Sequence, residues 1–327
     1  MYIEQGYKGL SEAWRYIIGI LVVFIAWQLV GGIPLTAAAL MEPGGMEAVI
    51  SGDLDEIRRL LGPNPFLFFV FLTFAIGLGA LLLWVKFVHK QSLTSLTTVR
   101  KRVDWKRVFF AFGVWALVST FFIAVDIYFY PEDYEFNFKL GPFMILLAIV
   151  LVMIPLQTSM EEYFIRGYML QGLGIMTKKR WFPMVFTTLL FGLLHIFNPE
   201  VGKLGYGVMV FYVGTGLFLG IVILMDDGLE LALGFHAANN MTAALFVTSD
   251  WVAIQGPALF RDVSDPQLGW EVFIPVFVVF PLLLLLFAKK YGWSNWQERI
   301  FGTVLSEKEF LGPEMDQLPA DDRSPTI

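Results

Sequence analysis

Long apolar stretches alternate with short polar connections along the whole chain. A helix rises about 1.5 Å per residue and needs about 20 apolar residues to cross about 30 Å of hydrocarbon. Eight stretches approach or exceed that length, so the pattern predicts an all-α fold, a polytopic membrane helical bundle of about eight transmembrane helices. The stretches are Tyr16–Ala39, Phe66–Val85, Val108–Ile127, Gly141–Met160, Trp181–Phe197, Gly205–Met225, Leu229–Val247 and Trp270–Ala288.

The composition agrees with a bilayer-embedded chain. Of 327 residues, 57% are hydrophobic and 16% are charged, and the mean hydropathy is +0.65. A soluble domain carries about 25% charged residues. The chain contains no cysteine, which excludes disulfides, thiolate metal sites and a cysteine nucleophile. The formal net charge of −6 gives no indication of a nucleic-acid partner.

Lysine and arginine are distributed unevenly between alternate connections. With the first residues placed inside, 18 of the 23 lie in inner segments, and the densest group falls within residues 100–107. The first outer connection, 41–65, carries five acidic residues. Because positive residues stay on the cytoplasmic side, we expect both termini in the cytoplasm. For a bacterial source, the location would be the plasma membrane.

Three regions follow from the pattern. Residues 1–290 form a transmembrane domain, with a short amphipathic piece near Leu54–Leu61. In residues 291–311, apolar residues recur at helical spacing, which fits either an interfacial helix or packing against the bundle. Residues 312–327 are predicted to be a disordered acidic tail.

Ionisable side chains lie inside three of the apolar stretches, where they are costly and therefore indicate a functional site. At the end of the fourth stretch, Glu162 and Arg166 are four residues apart on one helical face, which predicts an ion pair. Glu161 then faces another direction, because neighbouring helical residues diverge by about 100°. A cluster of charges at the inner end of a helix is the alternative.

Geometry brings the remaining polar residues to the same layer. Glu161 and His195 lie 17 residues on either side of a turn beginning at Lys178, so antiparallel helices place them at one level. His236 and Asn240 share a helical face close to the next inner turn. We expect a polar site in the inner half of the membrane, open to the cytoplasmic leaflet. Core packing of a lone histidine and hydrogen bonds between helices are the alternatives; for the neighbouring Asn239 we expect such a role.

A carboxylate beside imidazoles can deprotonate water, and His and Asn can stabilise an oxyanion, so the set suits hydrolysis of an amide. The chain has neither a Gly-x-Ser-x-Gly elbow nor a His-Glu-x-x-His zinc helix. Glu161, His195 and His236 could still form an open zinc site. A proton-coupled transporter and a non-catalytic membrane scaffold are further alternatives.

Three ordered motifs resemble those of the CPBP intramembrane proteases, which include the type II CAAX prenyl endopeptidases. They are Glu-Glu-x-x-x-Arg at Glu161, Glu162 and Arg166, Phe-x-x-x-His at Phe191 and His195, and His-x-x-x-Asn at His236 and Asn240. The resemblance covers mainly residues 140–250.

The resemblance implies an intramembrane endopeptidase acting on a membrane-associated or lipidated substrate. Glu161 and His195 would activate water, and His236 and Asn240 would bind the oxyanion. Glu162, Arg166 and Phe191 would support the site. The family has been described both as metalloproteases and as glutamate-dependent enzymes. We favour a mechanism without a cofactor, because Asn is an unusual zinc ligand, and keep zinc as the alternative.

Overall fold

The computed structural model describes residues 1–315 of the chain. A short 3₁₀ segment, Ile3–Lys8, precedes the first helix. The helices are α1 Ala13–Leu40, α2 Gly45–Ser51, α3 Leu54–Leu61, α4 Pro63–Phe87, α5 Leu93–Thr97, α6 Trp105–Phe129, α7 Leu140–Thr177, α8 Trp181–Leu194, α9 Pro199–Leu204, α10 Tyr206–Asp226, α11 Glu230–Phe246, α12 Trp270–Tyr291, α13 Trp296–Phe301 and α14 Glu307–Met315. The strands are β1 Tyr134–Phe136, β2 Val247–Thr248 and β3 Phe260–Asp262.

The predicted all-α membrane bundle is confirmed. Within residues 1–315, six helices are long and apolar enough to cross a membrane: α1, α4, α6, α7, α10 and α12. The predicted fifth and seventh stretches correspond to α8, with 14 residues, and α11, with 17. At about 1.5 Å per residue these helices reach only about 21 and 25 Å, less than a full crossing. In contrast, α7 has 38 residues and a length of about 57 Å.

Two local features explain where α3 begins and ends. The carboxylate of Asp53 accepts hydrogen bonds from the backbone N–H groups of Asp55 and Glu56, each at 3.0 Å, and so caps α3. Gly62, with φ of +80°, ends this helix. The amphipathic piece predicted at Leu54–Leu61 is therefore a helix with the same bounds.

The centre of the bundle is the contact between α6 and α11. A Cβ atom on Gly234 would lie 2.0 Å from the carbonyl oxygen of Val108, so only glycine allows the two backbones to approach this closely. Aromatic rings fill the space beside this contact. Phe218 stacks on Phe280 with 4.7 Å between ring centroids, and Trp115 packs on Phe235 at 4.4 Å.

The connections gather at two opposite ends of the bundle. One end, called the basic end here, contains the connections predicted to be inside: residues 88–104, 178–180, 227–229 and 292–306. They contact one another directly. The contacts are Leu229 N to Thr97 O at 2.8 Å, Val304 N to Lys178 O at 3.0 Å and Tyr2 N to Asp227 Oδ1 at 2.9 Å.

The other end, called the acidic end here, contains three of the four connections predicted to be outside: residues 41–62, 130–139 and 247–269. Strand β3 pairs with β1 in antiparallel and with β2 in parallel orientation, which ties two of these connections together. Arg58 Nη1 donates to Gln255 Oε1 at 2.7 Å and links the first connection to the third. Alternate connections thus lie on opposite faces, as the sequence pattern predicts.

Residues 291–311 form no single helix. The chain breaks between α13 and α14, and Ile300 and Val304 are buried against the bundle. A second break falls at Gly312, where φ is +77°. Residues 316–327, most of the predicted acidic tail, lie outside the described residues.

Candidate active site

The site begins where α7 widens into a π-helical stretch, Glu162–Met169. Such wide turns are frequent at functional sites. Glu161 is the residue directly before this stretch. Arg166 Nη1 donates to Glu162 Oε1 at 2.6 Å, and both side chains have no exposed surface. The ion pair predicted between Glu162 and Arg166 is confirmed.

His236 on α11 lies between the two glutamates. Its Nδ1 is 2.7 Å from Glu162 Oε1, and its Nε2 is 3.3 Å from Glu161 Oε2. Nε2 of His236 is close enough to Glu161 Oε2 for an ion pair, but the two atoms are not aligned for a hydrogen bond. Within residues 1–315, Glu161 Oε2 has no hydrogen-bond partner and is buried. An oxygen in this state is available to a water molecule or a substrate.

The charges of this cluster balance if His236 carries two protons. Nδ1 of His236 donates to the carboxylate of Glu162, because an ionised carboxylate only accepts hydrogen bonds. Glu161 and Glu162 then contribute two negative charges, and Arg166 and His236 contribute two positive charges. Pairing of this kind is what makes buried charges tolerable.

His195 lies directly after the last residue of α8. Its Nδ1 is 2.7 Å from the carbonyl oxygen of Phe191. Because a carbonyl only accepts, Nδ1 carries the hydrogen and Nε2 of the neutral ring is left as an acceptor. The ring of Tyr212 stacks on the imidazole at 4.4 Å with an interplanar angle of 26°. The backbone contact and the stacking fix the ring.

Phe191 packs among the charged groups, as predicted. The Arg166 guanidinium carbon lies 4.1 Å from its ring centroid, a cation–π contact. The same ring is 4.5 Å from His195 and 5.9 Å from His236 by centroid distance.

Asn240 is held at both ends of its amide. Its Nδ2 donates to Gln157 Oε1 at 2.9 Å, and its Oδ1 accepts from Asn239 Nδ2 at 3.1 Å. The Trp115 indole N–H donates to Asn239 Oδ1 at 3.1 Å, which is the bond between helices expected of Asn239. One N–H of Asn240 therefore has a protein partner, and the other can serve a ligand.

Sequence reasoning missed Gln157, Tyr212 and Glu200. Gln157 is four residues before Glu161 and polar within an apolar stretch, so the helical spacing could have revealed it. The Tyr212 hydroxyl contacts the carboxylate of Glu200 and lies 3.0 Å from Asn198 Nδ2. The sequence carries no comparable signal for Tyr212, because tyrosine is common in membrane helices.

A cavity of about 720 Å³ contains all four predicted catalytic residues on its walls: Glu161, His195, His236 and Asn240. The cavity extends to the acidic end, where Leu54, Arg58 and residues 252–254 line it. Among the described residues, its lining includes none from the basic end. The cavity thus extends from the site toward the acidic end, and a site open to the cytoplasmic leaflet stays a prediction.

The three residues named for zinc do not form a metal site as they stand. Within residues 1–315, no group of three or more His, Asp or Glu side chains is arranged to hold a metal ion. His236 faces a carboxylate with each of its ring nitrogens. His195 bonds to a carbonyl through Nδ1 and keeps Nε2 available to a ligand. Zinc held by these residues therefore stays the alternative to a mechanism without a cofactor.

Comparisons with known proteins find a family match in the part of the chain that carries the site. Residues 138–242 match the family described as type II CAAX prenyl endopeptidase Rce1-like. The chain is also similar to the uncharacterized protein YyaK of Bacillus subtilis (strain 168). The two are 31% identical over 287 residues, which is 86% of this chain and 95% of the relative. No solved structure matches the chain. The chain belongs to the Rce1-like family of type II CAAX prenyl endopeptidases, a family of intramembrane proteases.

Proposed function

We propose that the protein hydrolyses a peptide bond of a membrane-associated or lipidated substrate inside the 720 Å³ cavity. Glu161 and His195 activate the attacking water, and His236 and Asn240 bind the oxyanion. The observation that carries this proposal is the convergence of four polar side chains from α7, α8 and α11 on one cavity.

The acceptors for water are Glu161 Oε2 and His195 Nε2. The first is buried without a hydrogen-bond partner among residues 1–315, and the second is an acceptor because Nδ1 holds the hydrogen. A water between them can donate one hydrogen to each group. As its oxygen bonds to the carbonyl carbon, one proton passes to Glu161, which later delivers it to the leaving amine.

The donors for the oxyanion are His236 and Asn240, which are neighbours one turn apart on α11. Glu162 accepts from Nδ1 of His236 and fixes the imidazole, whose Nε2 is the proposed donor to the oxyanion. Gln157 orients the amide of Asn240 and leaves its second N–H for the oxyanion. Fixed donors of this kind typically lower the barrier by about 2.7–4 kcal/mol each.

The proposal is tested by comparing membrane proteins of host cells that produce the wild type with those of cells that produce Glu161→Gln. The amide keeps the shape of the side chain but cannot take a proton. We expect precursors to accumulate uncleaved in Glu161→Gln cells. Glu132→Gln, a change at the exposed acidic end, is the matched control and should resemble the wild type. Identical peptide termini in wild-type and Glu161→Gln membranes would contradict a protease role for this site.

A further inference from the structure

We infer that Glu200 forms a binding site for a positively charged side chain of the substrate, a lysine or an arginine close to the scissile bond. This inference rests on the proposed function and specifies which substrates the cavity selects. Glu200 lies on the wall of the cavity, and its carboxylate has no counter-charge among the described residues.

One oxygen of the Glu200 carboxylate is held by two neighbouring side chains. The Tyr212 hydroxyl donates to Oε1, and Asn198 Nδ2 lies 3.2 Å from the same atom. Asn198 Nδ2 also lies 3.0 Å from the Tyr212 hydroxyl oxygen, so the three polar groups contact one another. Ionised carboxylates only accept hydrogen bonds, and both neighbours can donate, which suits a carboxylate that carries its charge. Glu200 is thus a negative charge fixed on the cavity wall.

The other oxygen of Glu200, Oε2, is buried and has no hydrogen-bond partner among residues 1–315. A buried charged group is costly unless it is paired. The terminal bond of a glutamate side chain rotates over a broad range, so a donor inside the cavity can reach this oxygen. The donor that Oε2 lacks can therefore come from a molecule bound in the cavity.

The other charges on the cavity wall already have partners. Within the described part of the chain, three residues that are charged at neutral pH line the cavity: Arg58, Glu161 and Glu200. Arg58 Nη1 pairs with Asp55 Oδ1 at 2.8 Å, and Glu161 Oε2 lies 3.3 Å from Nε2 of His236. No lysine or arginine among residues 1–315 pairs with Glu200. A positively charged group on the substrate would supply the missing counter-charge.

The distance from Glu200 to the reacting groups is spanned by one tyrosine ring. The ring of Tyr212 stacks on the imidazole of His195 at 4.4 Å, and its hydroxyl contacts Glu200. Residues of an extended peptide follow one another at about 3.3–3.6 Å, so a side chain within about two residues of the scissile bond can reach Glu200. The apolar stem of lysine or arginine suits the aromatic wall that it would cross.

Binding of short acylated peptides tests this site without requiring cleavage. Two fluorescent probes share a decanoyl chain and a peptide backbone and differ at one residue, which is lysine or norleucine. Norleucine keeps the apolar stem but lacks the ammonium group. The protein carries Glu161→Gln, so the probes stay intact and the ammonium group has no second carboxylate to bind in the cavity.

Affinities are measured by fluorescence anisotropy in detergent micelles. The three proteins compared are Glu161→Gln, Glu161→Gln/Glu200→Gln and the matched control Glu161→Gln/Glu132→Gln, in which the second change lies at an exposed position. Glu200→Gln keeps the shape of the side chain and one acceptor oxygen but removes the charge. Loss of the preference for lysine in this variant is therefore attributable to the charge.

We expect Glu161→Gln to bind the lysine probe about 10- to 100-fold more tightly than the norleucine probe, the usual effect of a hydrogen bond between charged groups. The preference should disappear in Glu161→Gln/Glu200→Gln and persist in Glu161→Gln/Glu132→Gln. The inference is overturned if Glu161→Gln binds both probes equally or neither, or if the preference survives Glu200→Gln. The comparison of the two probes needs no change at Glu200, so it decides even if that variant fails to fold. The accumulation of uncleaved precursors in Glu161→Gln cells does not depend on Glu200, so the proposed function is judged separately.

Discussion

The buried triplet of Arg166, Glu162 and His236 allows stability and catalysis to be separated. Arg166→Met removes the cation and leaves Glu162 charged with no exposed surface. Breaking a buried ion pair from one side costs about 3–5 kcal/mol, because one negative charge of the cluster then lacks a counter-charge. We expect this loss in the free energy of unfolding, measured by denaturation in detergent micelles.

The double variant Glu162→Leu/Arg166→Met removes both charges. Its main remaining defect is the Nδ1 of His236, which loses its acceptor at 2.7 Å. An unsatisfied buried polar group costs about 1–3 kcal/mol, so the double variant should be about 2 kcal/mol more stable than Arg166→Met. Its cleavage of a substrate found through Glu161→Gln should nevertheless fall by about 10²–10³, the usual loss for one oxyanion donor.

Two results would refute this reasoning. If the double variant is no more stable than Arg166→Met, the uncompensated charge is not what destabilises the single variant. If it cleaves at the wild-type rate, Glu162 does not hold His236 in its working form.

Three further predictions concern other parts of the molecule. Burial lowers the pKa of His89 to about 4, so its unfolded form, with a pKa near 6.5, binds the proton first on acidification. The free energy of unfolding should therefore fall by about 3 kcal/mol between pH 6.5 and 4, and less in His89→Gln; parallel curves for the two proteins would exclude this effect. Tyr212→Leu, which removes the stacking on His195, should slow cleavage by about 3- to 10-fold, whereas Tyr212→Phe should stay near the wild type; equal losses would mean that the hydroxyl is what matters. Purified protein should cleave in the presence of a chelator; stoichiometric zinc that is lost in His195→Ala, with activity abolished by the chelator, would instead establish the metal mechanism.

Local spacing made part of the site predictable from the sequence. Glu162 and Arg166 are four residues apart in one helix, so their contact requires no knowledge of the fold. The bounds of α3 follow from its capping aspartate and its terminal glycine in the same way. The prediction that Glu161 and His195 lie at one level used only one turn and a constant rise, and both side chains line the same cavity.

Other features depend on tertiary packing and were not predictable. The apolar run of the fifth stretch continues to Phe197, but the helix ends at Leu194, where the chain turns toward Pro199. Hydropathy does not reveal this turn, because Ile196 and Phe197 within it are apolar. The stacking of Tyr212 on His195 and the direction of the cavity both arise from how α8, α10 and α11 cross. Periodicity within one helix carries no information on such crossings.

The Ile3–Lys8 segment has a consequence for biosynthesis. Glu4 has no exposed surface; it pairs with the guanidinium of Arg180 and accepts the backbone N–H of Leu305 at 3.3 Å. The ribosome synthesises Glu4 about 300 residues before Leu305, so the carboxylate of Glu4 can complete its contacts only after the membrane helices have been made. Formation of these contacts is accordingly a late step of assembly. A chain arrested before residue 305 would insert its helices but lack the contact between Glu4 and Leu305.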